Sequence, residues 1–433
     1  MTMSATAYEK QREQLYAPMR EAGEFVWETI DGDEYALADP LPMSRTLRKT
    51  LQEAAERLGR VYARVVAVVR ESDDRLLRQL GLPEATHGAV RLPMLGDAAT
   101  VIGRFDFAAT DDGVKMLEWN SDTPTSVVEA FRVNGAVCRA LGLTDPNEGM
   151  ASGIAAAFRA AVGAYRSAGW RIEPDRIAFA ALDWHEEDAG TTRYLLEAAG
   201  IGGRFVPLSS LRVHRDRLCV LEEDGVTHTP IDLLYRLHAL EKLAEERDDD
   251  GYPTGAHVLD LVARRKLALI NPPSAFIAQT KALQALIWSL HEQRTFFTRE
   301  EHEAIEAFML PTYMDNVFHG TAPYVRKPIF GREGGAVVLY DENGEAVERD
   351  GESLYWDQPS IYQRRVELPR VRVRTLRGEV EGRLLWGAFL VGGRPSAIVA
   401  RVGGRITGNA AFYAPVALQD GSERYSDKER ERT

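Results

Sequence analysis

The sequence predicts a mixed α+β (mixed α/β) fold in which helices and strands both supply the core. Between residues 44 and 80, apolar residues such as Leu51, Leu58 and Val65 recur at helical spacing. Residues 101–120 instead alternate as two short strands joined by a tight turn that ends in Asp-Gly. From Trp170 onward the order is strand, loop, helix and strand, which is typical of a small α/β unit.

Length and composition exclude several classes of protein. With 433 residues, 45% of them hydrophobic, the chain can bury a large core in two or three lobes. The net charge of −12 argues against a nucleic-acid partner. Two cysteines are too few for a disulfide framework or a cysteine-based zinc site, which favours a reduced compartment.

The N-terminal residues lack the apolar core of a signal peptide, and no stretch approaches about 18 apolar residues. We therefore expect a cytoplasmic protein without a membrane partner. The length is compatible with a homodimer, although the sequence does not decide the oligomeric state.

The elements follow in chain order. Helices are expected over 8–31, 44–80, about 124–141, about 147–168, 191–199, after Pro273, and over 298–309. Strands are expected over 177–182, 204–207, 233–236, within 324–350 and over 384–398, and 183–188 is expected to be a polar loop. One of Ser121, Asp122 and Thr123 would cap the helix that starts near Pro124. The expected segments are 1–174 (helices and hairpin), 175–270 (a small α/β lobe), 271–416 (a third lobe) and 417–433 (a charged, disordered tail).

The hairpin at 101–120 contains the main candidates for metal and phosphate binding. Asp106, Glu118 and Asn120 fall on one face if the strands pair as expected, because side chains alternate along a strand. Two carboxylates and an amide oxygen are hard ligands, suited to Mg²⁺ that bridges nucleotide phosphates. Arg104 lies on the same side and could contact phosphate oxygens. The alternative is an ordinary hairpin with polar residues on its solvent face.

Two further groups are candidates for anion binding. Glycines in the segment 330–335 leave backbone N–H groups free to approach phosphate, and Lys327 and Lys281 precede that segment. Arg236 and Lys242 could bind an anionic substrate, or could lie on a solvated surface.

Four blocks in the same order resemble the glutathionylspermidine synthetase family, an ATP-grasp group of amide-forming ligases. The first is the hairpin pattern, Arg-x-Asp-Phe followed by Glu-Trp-Asn-x-Asp-Thr at 118–123. The others are the segments 271–288, 324–334 and 361–363, and 387–409 is also similar. The resemblance spans about 12–416, nearly the whole chain. It is closest to the stand-alone ligases, since the printed sequence contains no recognisable Cys-His amidase.

The resemblance implies a circularly permuted ATP-grasp fold with a small pre-ATP-grasp-like substrate lobe. It also implies that ATP and Mg²⁺, in two ions, are cofactors, with Asp106, Glu118 and Asn120 as metal ligands and Arg104 as the catalytic residue. The implied ATP contacts are Arg104, Lys281, Lys327, Arg332, Glu333, Gly334, Gln363, Arg364, Arg365, Val366, Arg401, Ile406, Thr407 and Gly408. The implied substrate contacts are Thr123, Glu186, Glu187 and Thr254.

The family joins glutathione to spermidine. A carboxylate–amine ligase that works through an acyl phosphate is therefore expected here, with a small-molecule or peptide acid and a polyamine-like amine as substrates. Two alternatives stay open: a catalytically silent ATP-binding regulator or scaffold, and a kinase that stops at a phosphorylated product.

Overall fold

The computed structural model describes residues 5–351, 354–408 and 410–419. Its helices are α1 (Ala5–Glu21), α2 (Arg45–Val69), α3 (Asp74–Gln79), α4 (His87–Val90), α5 (Asn134–Leu141), α6 (Ser152–Ser167), α7 (Glu186–Ala199), α8 (Leu240–Glu245), α9 (Thr254–Ala263), α10 (Pro273–Gln279), α11 (Lys281–Gln293) and α12 (Arg299–Phe308). None of these helices is both long enough and apolar enough to cross a bilayer.

The strands complete the α+β fold that the sequence predicts. They are β1 (Thr29–Ile30), β2 (Asp33–Glu34), β3 (Leu41–Met43), β4 (Ile102–Thr110), β5 (Gly113–Asn120), β6 (Ile177–Ala181), β7 (Arg204–Pro207), β8 (Leu211–His214), β9 (Arg217–Leu221), β10 (His228–Pro230), β11 (Leu233–Arg236), β12 (Ala268–Ile270), β13 (Thr312–Tyr313), β14 (Tyr324–Pro328), β15 (Val338–Tyr340), β16 (Ala346–Arg349), β17 (Ser360–Arg364), β18 (Arg370–Thr375), β19 (Gly378–Val391), β20 (Arg394–Gly403), β21 (Phe412–Ala414) and β22 (Val416–Leu418).

A six-stranded sheet joins the early hairpin to the end of the chain. Its order is β21-β20-β19-β4-β5, and β18 also pairs with β19. Strand β19 runs antiparallel to β4, with Gly387 opposite Asp106. Residues from the expected segments 1–174 and 271–416 therefore share one sheet, so these boundaries do not separate two independent cores.

A second, five-stranded antiparallel sheet supplies the opposite wall of the site. Its order is β13-β17-β14-β15-β16. Strand β14 contains Lys327, and the adjacent β17 contains Gln363, which pairs with Val325 in the register of the two strands. Strands within 324–350 were expected. Strand β17 lies beyond that range, and its residue Gln363 is 36 positions from Lys327 in the chain.

The small α/β lobe has the expected order of elements along the chain, in which a helix follows the first strand and precedes the next. Parallel strands β12-β11-β6-β7 form its sheet, and the antiparallel strands β10-β9-β8 form a separate small sheet. Helix α7 begins at Glu186, ahead of the expected start at Thr191. The acidic residues of the expected loop are thus its first turn, where the helix dipole favours negative charge.

The expected N-terminal helices are too long. The helix over 8–31 ends at Glu21, and the helix over 44–80 is broken between Val69 and Asp74. Ser44 and Asp73 cap α2 and α3 by accepting hydrogen bonds from backbone N–H groups. The apolar stripe of α2 is buried, as the helical spacing predicts.

The cap expected near Pro124 and the tail expected from residue 417 are both corrected. The Asp122 carboxylate does not cap the helix that follows Pro124, because it accepts from the Arg236 guanidinium and from the Leu240 backbone N–H at the start of α8. The Ser121 hydroxyl donates to the carbonyl oxygen of Ala275, and the Thr123 hydroxyl accepts from Arg332. A π-helical turn at Glu129–Val133 leads into α5 instead. Strand β22 reaches Leu418 and pairs in parallel with β3, so ordered structure extends beyond residue 416. The remainder of the expected tail, 420–433, lies outside the described residues.

Candidate active site

The hairpin of β4 and β5 places four polar side chains on one wall of a cavity. Asp106 lies opposite Glu118, and Arg104 lies opposite Asn120, in the antiparallel register. All four residues line the same cavity of about 840 Å³. The shared face that alternation predicts for this hairpin is therefore present.

Arg104 and Asp106 form a buried, two-pronged ion pair. The guanidinium Nε and Nη2 donate to the two carboxylate oxygens of Asp106 at 2.7 and 3.0 Å. Arg104 Nη1 also donates to the carbonyl oxygen of Thr125, and Asn120 Nδ2 donates to Asp106 Oδ2 at 3.2 Å. Such bidentate pairing fixes the plane of the guanidinium, so Arg104 is held rigidly at the cavity wall.

Glu118 is paired with a lysine from the other side of the cavity. Lys281 Nζ lies 3.1 Å from Glu118 Oε2 and also donates to the carbonyl oxygen of Gly331 at 2.6 Å. Burial by itself would raise the pKa of Glu118, but the ammonium groups of Lys281 and Lys327 outweigh this effect and hold it at about 2. The carboxylate is consequently charged throughout the neutral range.

The second lysine reaches the hairpin from β14. Lys327 Nζ donates to the carbonyl oxygen of Leu117 at 3.1 Å and to Gln363 Oε1 at 2.8 Å. Burial lowers the pKa of Lys327 to about 8, although Glu118 acts in the opposite direction. Both lysines therefore lie beside the acidic side chains, despite their distance from the hairpin in sequence.

The glycine-rich segment folds over the cavity and contacts the chain near its end. Gly334 has a φ of +75°, and a Cβ atom there would lie 2.7 Å from Ile406 Cγ2 and 3.1 Å from the Thr407 oxygen. Arg332 Nη1 donates to Thr123 Oγ1 at 2.6 Å, and its Nε donates to Glu241 at 3.2 Å. This segment thus bridges the nucleotide-binding side predicted from the sequence and the small lobe.

The first turn of α7 forms an acidic wall. Glu186, Glu187 and Asp188 line the cavity, and Trp184, which is 72% exposed, stands beside them. Burial raises the pKa of Glu187, and it raises the pKa of Asp188 to about 6 against the effect of His185. One side of the cavity is therefore rich in carboxyl groups, whereas the opposite side is rich in lysine and arginine.

The cavity collects most of the candidate residues. Those that line it are Arg104, Asp106, Glu118, Asn120, Thr123, Glu186, Glu187, Lys281, Lys327, Arg332, Glu333, Gly334, Gln363, Arg364, Arg365, Val366, Arg401, Ile406 and Thr407. Gly408 lies just behind them, where its carbonyl oxygen accepts a hydrogen bond from Arg401 at 3.0 Å. Their convergence does not test the individual roles, which stay predictions.

The structure places two candidate substrate contacts, Arg236 and Thr254, outside the cavity lining. Arg236 is 1% exposed, and its guanidinium donates to both carboxylate oxygens of Asp122 at 2.6 and 3.0 Å, so it is not free to bind a substrate. Thr254 begins α9 outside the cavity, where its hydroxyl contacts the carbonyl oxygen of Tyr252. Lys242 likewise lies away from the cavity lining, beside the Tyr355 ring.

Comparison with known proteins agrees with this geometry. The profile of the family described as glutathionylspermidine synthase preATP-grasp matches residues 6–419. The chain belongs to this family. The resemblance drawn from the hairpin and the later motifs is therefore confirmed.

Two relatives with assigned names match part of this chain. Trypanothione synthetase of Crithidia fasciculata is 25% identical over 317 residues, which are 67% of this chain and 44% of that protein. A putative acid–amine ligase of Haemophilus influenzae is 24% identical over 274 residues, 62% of this chain and 63% of that protein. The matched region thus spans less than two thirds of either relative.

A solved structure shares the fold. It is that of a glutathione synthetase-like effector from Globodera pallida, with a TM-score of 0.59, 14% identity, and coverage of 96% of this chain and 98% of that chain. At this identity the likeness concerns the fold alone, and it agrees with the predicted α+β class.

The side chains of this glutathionylspermidine synthase family member fit a magnesium–nucleotide complex. Asp106 and Glu118 offer carboxylate oxygens, and Asn120 offers an amide oxygen, all on one face. No group of three His, Cys, Asp or Glu side chains in the described residues forms a cation site on its own. A cation held here would take an amide oxygen from Asn120 as well as the carboxylate oxygens, and Arg104 and Lys281 neutralise the carboxylates in this structure.

Sequence reasoning missed one group in this family member. Trp27 and Tyr35 line the cavity, and both hydrogen-bond to Glu129, which is fully buried behind them. These residues lie 102 and 94 positions from Glu129 in the chain. No local pattern links residues so far apart, so only the fold reveals the group.

Proposed function

We propose that the chain is an ATP-dependent carboxylate–amine ligase that forms an amide through an acyl phosphate. The observation that carries the proposal is the position of Lys281 and Lys327 beside the hairpin face that holds Asp106 and Glu118. Such a cavity offers cations to the phosphates of a nucleotide and oxygen ligands to its metal ions. The family membership and the names of the relatives support this class of reaction.

The reaction needs two steps. A substrate carboxylate oxygen attacks the γ-phosphorus of ATP, and the bond from that phosphorus to the bridging oxygen breaks, which releases ADP. The amine nitrogen then attacks the carbonyl carbon, loses a proton, and the bond from that carbon to the phosphate oxygen breaks. The amide and inorganic phosphate are the products.

Each part of the site has a role in this scheme. Lys281 and Lys327 would bind phosphate oxygens, and Arg104 would stabilise charge on the transferred phosphoryl group and on the later oxyanion. Asp106, Glu118 and Asn120 would hold Mg²⁺, which supplies neutralisation of the phosphate charge when bound. The segment 331–335 would exclude water, because an acyl phosphate is also open to hydrolysis.

The proposed substrates are a peptide or amino-acid carboxylate and a polyamine or another amine. A cationic amine would be attracted to the acidic wall formed by Glu186, Glu187 and Asp188. Thr123 and the two glutamates are the proposed contacts of the acid substrate. The proposed location is the cytoplasm.

The decisive experiment is an ADP-release screen of acids against polyamines and amino acids, with mass spectrometry of the products. We expect release that requires both an acid and Mg²⁺, and a product whose mass equals acid plus amine minus water. Arg104→Lys keeps the positive charge but loses the paired contact, and should lower turnover by about 10²–10³. ATP binding without any product would favour a silent binding protein, and a stable phosphorylated acid would favour a kinase.

A further inference from the structure

A buried carboxyl group that the scheme above does not use lies directly behind the cavity wall. Glu129 is fully buried at the start of the π-helical turn. Its Oε1 atom accepts hydrogen bonds from Trp27 Nε1 at 2.8 Å and from the Tyr35 hydroxyl at 3.0 Å. Its Oε2 atom is also buried and has no hydrogen-bond partner in the described part of the chain. A buried polar atom left unpaired is costly and calls for an explanation.

The hydrogen bond from Tyr35 connects this carboxyl group to the cavity. Tyr35 lines the cavity together with Arg104, Glu187 and Arg401. The hydroxyl gives its proton to Glu129, so the lone pairs of the phenolic oxygen remain free to accept another hydrogen bond. Glu129 is not among the described residues that line the cavity, so the Tyr35 hydroxyl offers a path by which a group in the cavity can pass a proton toward it.

Burial and a neighbouring carboxylate move the pKa of this carboxyl group toward neutral pH. Burial raises the pKa of Glu129 to about 7, and the charge of Glu187 adds to the effect, whereas Trp27 and Tyr35 act against it. Arg401 and Glu187 face Tyr35 from the cavity side, and the Tyr413 hydroxyl donates to the backbone oxygen of Glu129 at 3.3 Å. A carboxyl group balanced near neutral pH is suited to accept a proton and release it again.

The second step of the proposed reaction requires such an acceptor. An aliphatic amine is protonated at neutral pH and cannot attack a carbonyl carbon until its proton is removed. The lysines of the site carry protons of their own, and Glu118 and Asp106 are occupied by Lys281 and Arg104. Tyr35, which donates to Glu129, lines the same cavity as Arg104.

We propose that Tyr35 takes the proton from the attacking amine while its own hydroxyl proton passes to Glu129. The C–N bond forms, the carbon–oxygen bond to phosphate breaks, and the departing phosphate takes the second nitrogen proton and leaves as hydrogen phosphate. The first proton rests on the Glu129 carboxyl group until product release. Tyr35 is the catalytic residue in this step, and Glu129 is a positioning residue that acts through it. The inference rests on the proposed ligase function.

The test compares two nucleophiles that differ in their need for a base. Hydroxylamine is largely unprotonated near neutral pH, so it traps an acyl phosphate as the hydroxamate without losing a proton first. The alkylamine and the acid are those that the wild-type protein joins in the ADP-release screen. Tyr35→Phe and Glu129→Gln should each lower amide formation with the alkylamine by about 10²-fold and leave hydroxamate formation close to the wild-type rate.

The pH profile provides a second readout. Wild-type amide formation should rise as the pH passes about 7, because Glu129 must be deprotonated to accept the proton. Glu129→Gln should lose the inflection near pH 7 and show a lower rate that climbs steadily with pH, since its amide does not titrate and only the free amine then reacts. Tyr413→Phe is the matched control: it removes a hydroxyl group beside Glu129 that binds the backbone oxygen only, and both rates should stay unchanged.

The outcomes separate the two proposals. Equal losses of hydroxamate and amide in Tyr35→Phe would show a merely structural role and overturn this inference, as would an unchanged amide rate. Absence of hydroxamate from the wild-type protein with every acid would overturn the ligase function itself. If Glu129→Gln fails to fold by thermal melting, the Tyr35→Phe comparison still decides.

Discussion

Lys281 and Glu118 form an ion pair across the cavity, with 3.1 Å between Nζ and Oε2. The pair joins the first residue of α11 to strand β5. The proposed roles of the two residues differ, since Lys281 would bind phosphate and Glu118 would bind a metal ion. Binding of a magnesium–nucleotide complex therefore requires this ion pair to separate, and the protein's own ammonium group competes with the metal.

Lys281→Met should weaken ATP binding and strengthen binding of Mg²⁺ in the absence of nucleotide. A charge-assisted hydrogen bond contributes about 1.5–3 kcal/mol, so the affinity for ATP should fall by about 10- to 100-fold. Mg²⁺ should bind more tightly because Glu118 loses its competing partner. Isothermal titration calorimetry with ATP and with MgCl₂ measures both. Lys115→Met is the matched control, because the Lys115 ammonium contacts only helix carbonyl oxygens; unchanged ATP affinity in Lys281→Met would refute the phosphate role.

The hairpin that holds Glu118 could be predicted because residues that are close together in the sequence determine it. Alternation in β4 and β5 and the Asp-Gly turn determine which residues share a face. The partners of that face could not be predicted from spacing. Lys281 and Lys327 reach the hairpin from another sheet and helix, and the family resemblance rather than periodicity indicated them.

ATP affinity should fall as the pH rises above about 8, because Lys327 then loses its proton. Burial lowers the pKa of this lysine from its usual value to about 8, so the charged form is present below that pH and disappears above it. Bound phosphate would move the midpoint upward by favouring the charged form. The measurement is the ATP dissociation constant between about pH 6.5 and 9.5. Lys327→Arg should remove the dependence in this range, since arginine stays protonated; a flat wild-type profile would contradict the prediction.

The lowered pKa of Lys327 also makes the stability of the folded state depend on pH. A lysine whose pKa is lower in the folded state than in the unfolded chain gives up protons on folding, so its contribution to stability increases as the pH rises from about 8 toward the unfolded value. The folded state should therefore gain stability from Lys327 over the same pH range in which ATP affinity declines. Thermal melting of wild type against Lys327→Arg separates this contribution from those of other groups.

Gly334→Ala should impair nucleotide binding more than folding. The backbone at Gly334 has a φ of +75°, which alanine adopts only with strain, and the added Cβ would lie 2.7 Å from Ile406 Cγ2. The segment would be displaced from Ile406 and Thr407, two of the predicted nucleotide contacts. ATP titration and thermal melting measure the two effects. Gly351→Ala is the control, because a Cβ there meets nothing within 4 Å; equal ATP affinities for the two variants would exclude a role for this contact.

The corrected substrate contact at Arg236 shows why an arginine near a strand end is ambiguous in sequence. Strand β11 was predicted, but it lies between β6 and β12 inside the parallel sheet, and Arg236 at its end pairs with Ala180 of β6 and is buried. The partner, Asp122, lies 114 residues earlier, directly after the hairpin. Its short polar side chain made it one of three candidate helix caps in the sequence, because capping depends on neighbouring residues, whereas this ion pair depends on a residue far along the chain.

Arg236→Met should destabilise the fold by about 3–5 kcal/mol, because it leaves the Asp122 carboxylate buried without its guanidinium partner. Replacing both partners, Arg236→Met with Asp122→Asn, should recover part of this loss, since no charge then remains buried, and the new amide oxygen can still accept from the Leu240 backbone N–H. Urea denaturation followed by circular dichroism measures the free energies of unfolding. Arg171→Met, which removes an exposed arginine paired with Glu173, should change stability by about 0–1 kcal/mol. If Arg236 binds substrate, Arg236→Met should instead raise KM without loss of stability. That result would support the substrate contact predicted for Arg236.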